Sequence, residues 1–243
     1  SQGSATVVYT LNPGSCSTST AITVLGTPGP IGGGAATVCE GDSTPAFTNS
    51  VSGGTWSVAN GTGSASIDAS GVVTGISAGS ATIIYTIGSC TQATTSITVN
   101  TTPVAITGGA ASVCTGSDTP AFTNATTGGT WSIINDSGTA SISAAGIVTG
   151  LSAGNVRVVY TIGSCSAEVP LIVYQTPGII TGGDSAVCIN DDTTAFTNSE
   201  SGGTWSIVNG TGTATINPSG VVTGVSAGTV TVVYTIGSCQ EST

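Results

Sequence analysis

Cysteine is the residue type whose spacing in this chain most suggests chemistry. Six of the seven cysteines form three pairs whose members are 51 positions apart: Cys39 and Cys90, Cys114 and Cys165, Cys188 and Cys239. Cys16 matches the second member of such a pair. The chain has neither the closely spaced cysteine pairs nor the histidines that are typical of zinc sites. The spacing therefore indicates disulfides, and with them an oxidising compartment outside the cytosol.

The residues needed for catalysis are scarce. The chain has no histidine, and Arg157 is its only basic residue against eleven acidic ones, for a net charge of −10. Serine and threonine hydroxyls therefore lack the neighbouring base that would activate a nucleophile. Such an acidic chain does not suit nucleic acid or an anionic membrane surface. We predict a protein that is not an enzyme.

Acidic residues recur shortly after the first cysteine of each pair, and calcium is the one cofactor they suggest. Together with backbone carbonyls they offer the oxygen ligands that Ca²⁺ prefers. Their number is low and uneven, and solvated turn residues are the competing interpretation. The candidates are Glu40, Asp42, Asp118, Asp191 and Asp192.

Internal repetition organises the chain. The stretch Gly53–Cys90 returns as Gly128–Cys165 and again as Gly202–Cys239, with Trp56, Trp131 and Trp205 in register. A fixed period of about 75 residues predicts a tandem array of small domains. We divide the chain into the last strands of a preceding repeat (1–25), a first repeat (26–100), a second repeat (101–175) and a third repeat lacking its last strand (176–243). A segment of a longer array explains these ends better than strand exchange between subunits.

Each repeat carries the signals of short antiparallel strands. Ala81, Ile83, Tyr85 and Ile87 alternate with mostly polar residues, and Asp68–Gly71 has the composition of a hairpin turn. We count about seven strands in each repeat and no helical periodicity. The pattern predicts an all-β chain of immunoglobulin-like β-sandwiches. Recurring aromatic residues are expected in the core rather than in a sugar-binding ladder: Trp56, Tyr85, Trp131, Tyr160, Trp205 and Tyr234.

The motifs of the repeat resemble the bacterial immunoglobulin-like group 2 domain. The resemblance rests on Trp-Ser at Trp56, on Ala-Ser-Ile-Asp ending at Asp68, and on the Gly-Val-Val-Thr-Gly-Ile-Ser-Ala-Gly stretch that follows. The added cysteines, in Val38–Gly41 and in Ser89–Cys90, resemble repeats of very long surface proteins of gliding Bacteroidota. These resemblances imply an extracellular stalk, adhesin or filament.

Sandwich topology bears on how the cysteines pair. In an immunoglobulin-type sandwich the turn before the second strand and the last hairpin lie at opposite ends, whereas bridged Cα atoms lie within about 7 Å. We therefore expect bonds between successive repeats, Cys39–Cys165 and Cys114–Cys239, with Cys16, Cys90 and Cys188 paired outside the sequence. Pairing within repeats (Cys39–Cys90, Cys114–Cys165, Cys188–Cys239) is the alternative.

Two kinds of surface site are also predicted. Ile84, Val159 and Val233 fall on the polar side of the tyrosine-containing strand, where repeated aliphatics could support lateral contact, unless loops of the same repeat cover them. Three Asp-Ser/Thr motifs resemble the short O-glycosylation motif of Bacteroidota and mark Ser43, Ser185 and Thr193.

The sequence as a whole predicts a non-catalytic stalk or filament segment at the cell surface. Its expected partners are neighbouring repeats or identical chains in a fibre, and surface glycans or cells. No run of apolar residues is long enough to span a membrane. A ligand- or glycan-binding adhesin module and a phage tail or fibre decoration domain are the alternative functions.

Overall fold

A computed structural model of the protein describes residues 3–90 and 92–243. All the regular elements within these residues are β-strands joined by turns. Nothing in the described part of the chain forms a helix that could cross a membrane. The predicted all-β class is confirmed.

The strands follow the repeats. The N-terminal hairpin consists of β1 (Gly3–Thr10) and β2 (Ser17–Val24). The first repeat contains β3 (Ile31–Gly33), β4 (Thr37–Cys39), β5 (Phe47–Asn49), β6 (Thr55–Asn60), β7 (Ser64–Ile67), β8 (Val73–Ser77), β9 (Gly79–Thr86) and β10 (Ala93–Asn100). The second contains β11 (Thr107–Gly108), β12 (Ser112–Cys114), β13 (Phe122–Thr123), β14 (Thr130–Asn135), β15 (Thr139–Ile142), β16 (Val148–Ser152), β17 (Gly154–Ile162) and β18 (Cys165–Tyr174). The third contains β19 (Thr181–Gly182), β20 (Phe196–Thr197), β21 (Thr204–Asn209), β22 (Thr213–Ile216), β23 (Val222–Ser226), β24 (Val230–Ile236) and β25 (Cys239–Ser242).

Each repeat is built around one main sheet. In the first repeat the strand order is β4-β10-β9-β6, in which β4 runs parallel to β10 and the other neighbours are antiparallel. The strand pairs β3-β5 and β7-β8 supply the second layer. The second repeat has the same order, β12-β18-β17-β14, and the third has β21-β24-β25. This arrangement is the predicted sandwich.

Every repeat has its own cluster of buried side chains. Ile83, Ile97 and Val73 are almost fully buried in the first cluster, because alternate residues of each strand face the second layer. The second cluster contains their counterparts Val158, Leu171 and Val148, and the third is smaller. None of the three clusters draws a buried residue from another repeat.

The described chain divides into two compact units whose boundary does not follow the repeats. One unit runs to Thr102 and includes Ile162–Cys165, and the other consists of Pro103–Thr161 and Ser166–Thr243. The hairpin of the second repeat thus belongs to the same unit as the first repeat. Our division into folding domains at the repeat boundaries stays a prediction.

A tryptophan and a tyrosine pack together in each repeat. Trp56 lies opposite Tyr85 in the pairing of β6 with β9, and their ring centroids are 4.5 Å apart. The Tyr85 hydroxyl donates to the Val51 carbonyl and accepts from the Gly54 amide, both at 2.9 Å. The tyrosine is buried and the tryptophan half-buried. Through its two hydrogen bonds the tyrosine ties the loop before β6 to the sheet.

The same contacts recur in the other repeats. The centroids are 4.7 Å apart for Trp131 and Tyr160, and 4.6 Å apart for Trp205 and Tyr234. The hydroxyl of Tyr160 donates to the Thr126 carbonyl at 2.9 Å. The six aromatic residues predicted for the core therefore lie in it or against it.

Tyr160→Phe should destabilise the second repeat by about 1–3 kcal/mol, because two backbone groups lose a partly buried partner. Hydrogen–deuterium exchange resolved by peptide should show faster exchange in the loop before β14, while the first and third repeats serve as internal controls. Tyr9→Phe, at a 65% exposed position in β1, is the matched substitution and should change nothing. Equal exchange in both variants would contradict the tethering role.

Candidate functional site

The first candidate site is the link between the first and second repeats. Cys39, the last residue of β4, lies opposite Asn100, the last residue of β10. Its sulfur is bonded to that of Cys165, the first residue of β18, with an S–S distance of 2.04 Å and a Cα–Cα distance of 5.7 Å. That separation is normal for a disulfide. Cys165 is 3% exposed, so one side of the bond is enclosed.

The second link repeats the first. Cys114, the last residue of β12, lies opposite Tyr174 and is bonded to Cys239, with Cα atoms 5.8 Å apart. Cys239 is 2% exposed. Each disulfide lies within one of the two compact units. The structure thus brings together both pairs expected between successive repeats.

Strand direction explains why the within-repeat pairs do not meet. Cys39 lies beside Asn100 at the end of β10, whereas Cys90 precedes the start of β10. Eight residues of extended strand cover about 26 Å, several times the reach of a disulfide. Among the described residues Cys16, Cys90 and Cys188 are free, and Cys16 and Cys188 are exposed.

Hydrogen bonds surround the first link. The side-chain amide of Asn100 donates to the Ser164 hydroxyl at 3.0 Å. The backbone amide of Glu40 donates to the Asn100 carbonyl at 3.0 Å, and the Thr102 hydroxyl donates to the Glu40 carbonyl at 2.8 Å. The peptide linker after β10 is therefore held against the cysteine-bearing strand.

The second link has an equivalent set. The amide of Thr115 donates to the Tyr174 carbonyl at 2.8 Å. Thr176 donates two hydrogen bonds to Thr115, from its amide to the hydroxyl at 3.0 Å and from its hydroxyl to the carbonyl at 2.6 Å. The hydroxyls of Ser112 and Ser238 are 2.8 Å apart. The two links therefore differ in side chains but share the contact between linker and cysteine strand.

Glycine is required in the hairpin that carries the second cysteine. Gly163 has a φ of +59°, and a Cβ added there would lie 2.6 Å from the side chain of Asn100. Gly237 has a φ of +58°, and an added Cβ would lie 2.4 Å from the ring of Tyr174. The Ile-Gly-Ser-Cys motif is the sequence signal of this close approach.

Three of the five calcium candidates accept hydrogen bonds from groups in their own repeat. Glu40 accepts the Ala78 amide at 2.8 Å. Asp118 accepts the Thr149 hydroxyl, and Asp192 accepts the Thr223 hydroxyl. Within residues 3–90 and 92–243 there is no group of three or more cysteine, aspartate or glutamate side chains placed to hold a metal ion. Asp42 and Asp191, the other two candidates, are therefore not part of such a group either.

The predicted line of exposed aliphatics on the tyrosine strand is wrong. Val159 and Val233 are 5% and 7% exposed, and Ile84 is half-buried. All three lie in central strands of their sheets, with a neighbouring strand on each side. The parity of a strand residue indicates the face on which it lies, but it does not show how much of that residue is covered.

A different aliphatic residue is exposed at one position in all three repeats. Ile76 and Leu151 are each 59% exposed, and Val225 is 51% exposed. At each site the register shifts, so that Ser64 pairs with Ser77 but Ala65 pairs with Gly75, which leaves Ile76 without a partner. A β-bulge of this kind turns a side chain away from the sheet. Alternation from the buried Val73 and Gly75 also puts Ile76 on the outer face, whereas the bulge itself has no sign in the sequence.

The three glycosylation candidates differ in access. Ser43 and Ser185 are exposed. Thr193 is 8% exposed, and its hydroxyl accepts the Val222 amide at 3.0 Å, as Thr44 and Thr119 do with the equivalent amides. The structure therefore contradicts Thr193 as an acceptor in the folded repeat, because its oxygen is enclosed and already bonded.

Two charged sites lie apart from the links. Arg157 contacts Asp136 at 3.2 Å and Glu168 at 2.8 Å, and hydrogen bonds from Asp136 and then Glu168 raise the pKa of Arg157. All three side chains are about 40% exposed, so this group contributes little to stability. In the β7-β8 turn the carboxylate of Asp68 accepts the amides of Val72 and Ser70, and these hydrogen bonds lower the pKa of Asp68.

One cleft of about 820 Å³ lies in the third repeat. Its walls include Val187, Phe196, Val222 and Val232. In the second repeat the corresponding side chains pack around Leu171 and Val173 of the last strand β18. Polar residues, among them Asp184, Ser185 and Thr229, line it as well.

One known family matches part of the chain. Residues 93–173 match the model of the family described as bacterial Ig-like domain (group 2). The match begins with β10 of the first repeat and ends in β18 of the second. This part of the chain is therefore similar to a bacterial Ig-like domain of group 2, the family that its motifs resemble, and the neighbouring repeats share those motifs. No curated protein matches the chain.

Solved structures of tandem immunoglobulin domains resemble the chain at low identity. Titin domains I67–I69 are 11% identical over 89% of this chain and 94% of that one, with a TM-score of 0.31. Invasin, described as a bacterial integrin-binding protein, is 12% identical over 100% of this chain and 64% of that one, with a TM-score of 0.35. Domains 4 and 5 of the S-layer protein SbsC are 16% identical over 61% and 99%, with a TM-score of 0.29.

Peptide mapping of the unreduced protein should recover Cys39 joined to Cys165 and Cys114 joined to Cys239. Proteases that cut after aromatic and acidic residues are suitable, because Arg157 is the only basic cleavage site. The linked peptides should disappear on reduction. Recovery of Cys39 joined to Cys90 would contradict the arrangement.

Asp68 should make the first repeat sensitive to acid. Its pKa is lowered on folding, so its contribution to stability is present above the unfolded pKa of about 3.9 and is lost as pH falls through the folded value. The equivalent Asn217 makes the same bonds to the amides of Ser219 and Val221 without a titrating group.

Asp68→Asn should therefore reduce the loss of stability between pH 5 and pH 2 in the β7-β8 turn. The loss of stability is measured by hydrogen exchange of the Ser70 and Val72 amides at both pH values. The turn of the third repeat, which has Asn217 in place of the aspartate, is the control. An unchanged acid response in the variant would show that the carboxylate does not titrate as described.

Proposed function

We propose that this chain is a load-bearing segment of an extracellular stalk or filament. Each repeat contributes length, and the links between repeats contribute mechanical continuity. The observation that carries the proposal is the disulfide between each early cysteine strand and the hairpin of the following repeat. Such bonds persist in oxidising surroundings, which is consistent with a location outside the cytosol.

The residues at the links also support this function. Each link combines a peptide linker, a disulfide and several hydrogen bonds, and Cys165 and Cys239 are enclosed. Side chains at these positions are used to hold repeats together. The serines, threonines and carboxylates noted above mostly bond to one another or to backbone groups.

Identical or neighbouring chains are the partners that we propose. Exposed aliphatics recur at Ile76, Leu151 and Val225, one in each repeat. A chain of like copies would present the same feature at every repeat. We assign no glycan or cell receptor.

Antibodies raised against the folded repeats should label intact cells of the source organism. Immunogold electron microscopy should place the label along thread-like structures outside the cell, and antibody pre-absorbed with the protein is the control. Label that appears only after the cells are permeabilised would overturn an extracellular location. Label confined to a single point at a tip would favour an adhesin module over a stalk.

A further inference from the structure

The two disulfides are interleaved along the chain. Cys39–Cys165 and Cys114–Cys239 close loops with sequence separations of 126 and 125. Cys114 lies inside the first loop, and Cys165 lies inside the second. Each bond therefore begins within the covalent loop closed by the other.

We propose that this interleaving gives the array a covalent limit to extension, so that a pulled chain stops lengthening even after its sandwiches have lost their hydrogen bonds. The proposal deepens the load-bearing function above and rests on it. It assigns a mechanical role to the order of the cysteines, beyond joining one repeat to the next.

The limit follows from the shortest covalent path. A network of inextensible segments cannot be stretched beyond the shortest route between its ends. From Cys39 to Cys239 that route crosses to Cys165, runs back along the backbone to Cys114 and crosses again. It contains 51 residue steps, against 200 along the uncrosslinked chain. At about 3.6 Å per residue, the maximum extension falls from roughly 720 Å to roughly 180 Å.

The folded structure presents both links to the load together. β4 and β10 are parallel and end side by side at Cys39 and Asn100. One strand continues through a peptide linker, and the other continues through the disulfide. β12 and β18 do the same at Cys114 and Tyr174. Force that leaves a repeat is therefore shared by two neighbouring strands.

Burial covers one sulfur of each bond. Cys165 and Cys239 are 3% and 2% exposed, whereas Cys39 and Cys114 are half-buried. Thiol–disulfide exchange needs a thiolate to reach a sulfur of the bond, so folding leaves attack at Cys39 or Cys114 as the more open route.

Interleaving has a signature that separate loops lack. Removing Cys39–Cys165 leaves a shortest route of 75 residue steps, and removing Cys114–Cys239 leaves one of 74. Either loss adds only about 85 Å to the limit, because the remaining bond still bypasses most of the chain. Loss of both adds about 540 Å, more than three times the sum of the two single effects.

Single-molecule force spectroscopy tests the proposal on the whole chain held between a handle at each end. The proteins are the natural chain, Cys39→Ser/Cys165→Ser, Cys114→Ser/Cys239→Ser and the quadruple variant, all treated with iodoacetamide. The intact mass of each of the four proteins should show three alkylated cysteines, so that all four carry the same chemical modification. The final contour length is measured after all repeats have unfolded, so a variant that folds poorly is still informative.

We expect final contour lengths that exceed the natural chain by about 85, 85 and 540 Å. Pairing within repeats would instead lengthen each of the two double variants by about 370 Å, because each substitution pair would break two bonds. That result, or additive increments, overturns the proposal. If immunogold labelling shows threads on the cell surface but the contour-length increments are additive, the stalk function stands and only the extension limit is lost. If the contour-length increments are those expected for interleaved bonds but the immunogold label appears only inside the cell, the extension limit stands and the stalk function is contradicted.

Discussion

Parallel pairing of a cysteine-bearing strand with the last strand is the constraint on which the links depend. β4 and β10 lie side by side and point the same way, so Cys39 and Asn100 end at one place. The linker leaves from there, and the next hairpin must return there for Cys165 to reach Cys39. Had the two strands been antiparallel, Cys39 would lie near Cys90, and the bond would close within the repeat.

The rest of each repeat holds that pair of strands in place. A small core of aliphatic side chains fixes β9 and β10 against the second layer, and Tyr85 ties the loop before β6 to the sheet. Units of about 75 residues bury a limited core, so crosslinks add a large share of their stability. In the chain-entropy account, closing a loop of 126 residues is worth about 5 kcal/mol. Folding and linkage thus depend on the same strands.

Sequence patterns predicted the parts of this structure that local rules control. Alternation placed Ala81, Ile83 and Tyr85 inward, and the period placed the aromatic pairs at equivalent sites. The proposed cysteine pairs also followed from strand direction in a sandwich. Parity could not show that Val159 is covered or that Thr193 accepts an amide, since both depend on neighbours distant in sequence. The bulge that exposes Ile76 and the contacts of Arg157 with Asp136 and Glu168 depend on register, which short motifs do not encode.

The most direct measurement cuts the linker between the first two repeats. A protease site inserted between Thr102 and Pro103 would be cleaved in the folded, unreduced protein, and the products would be compared on denaturing gels with and without reductant. The account predicts that the fragments stay joined through Cys39 and Cys165 until they are reduced. Fragments that separate without reductant would contradict covalent linkage of successive repeats.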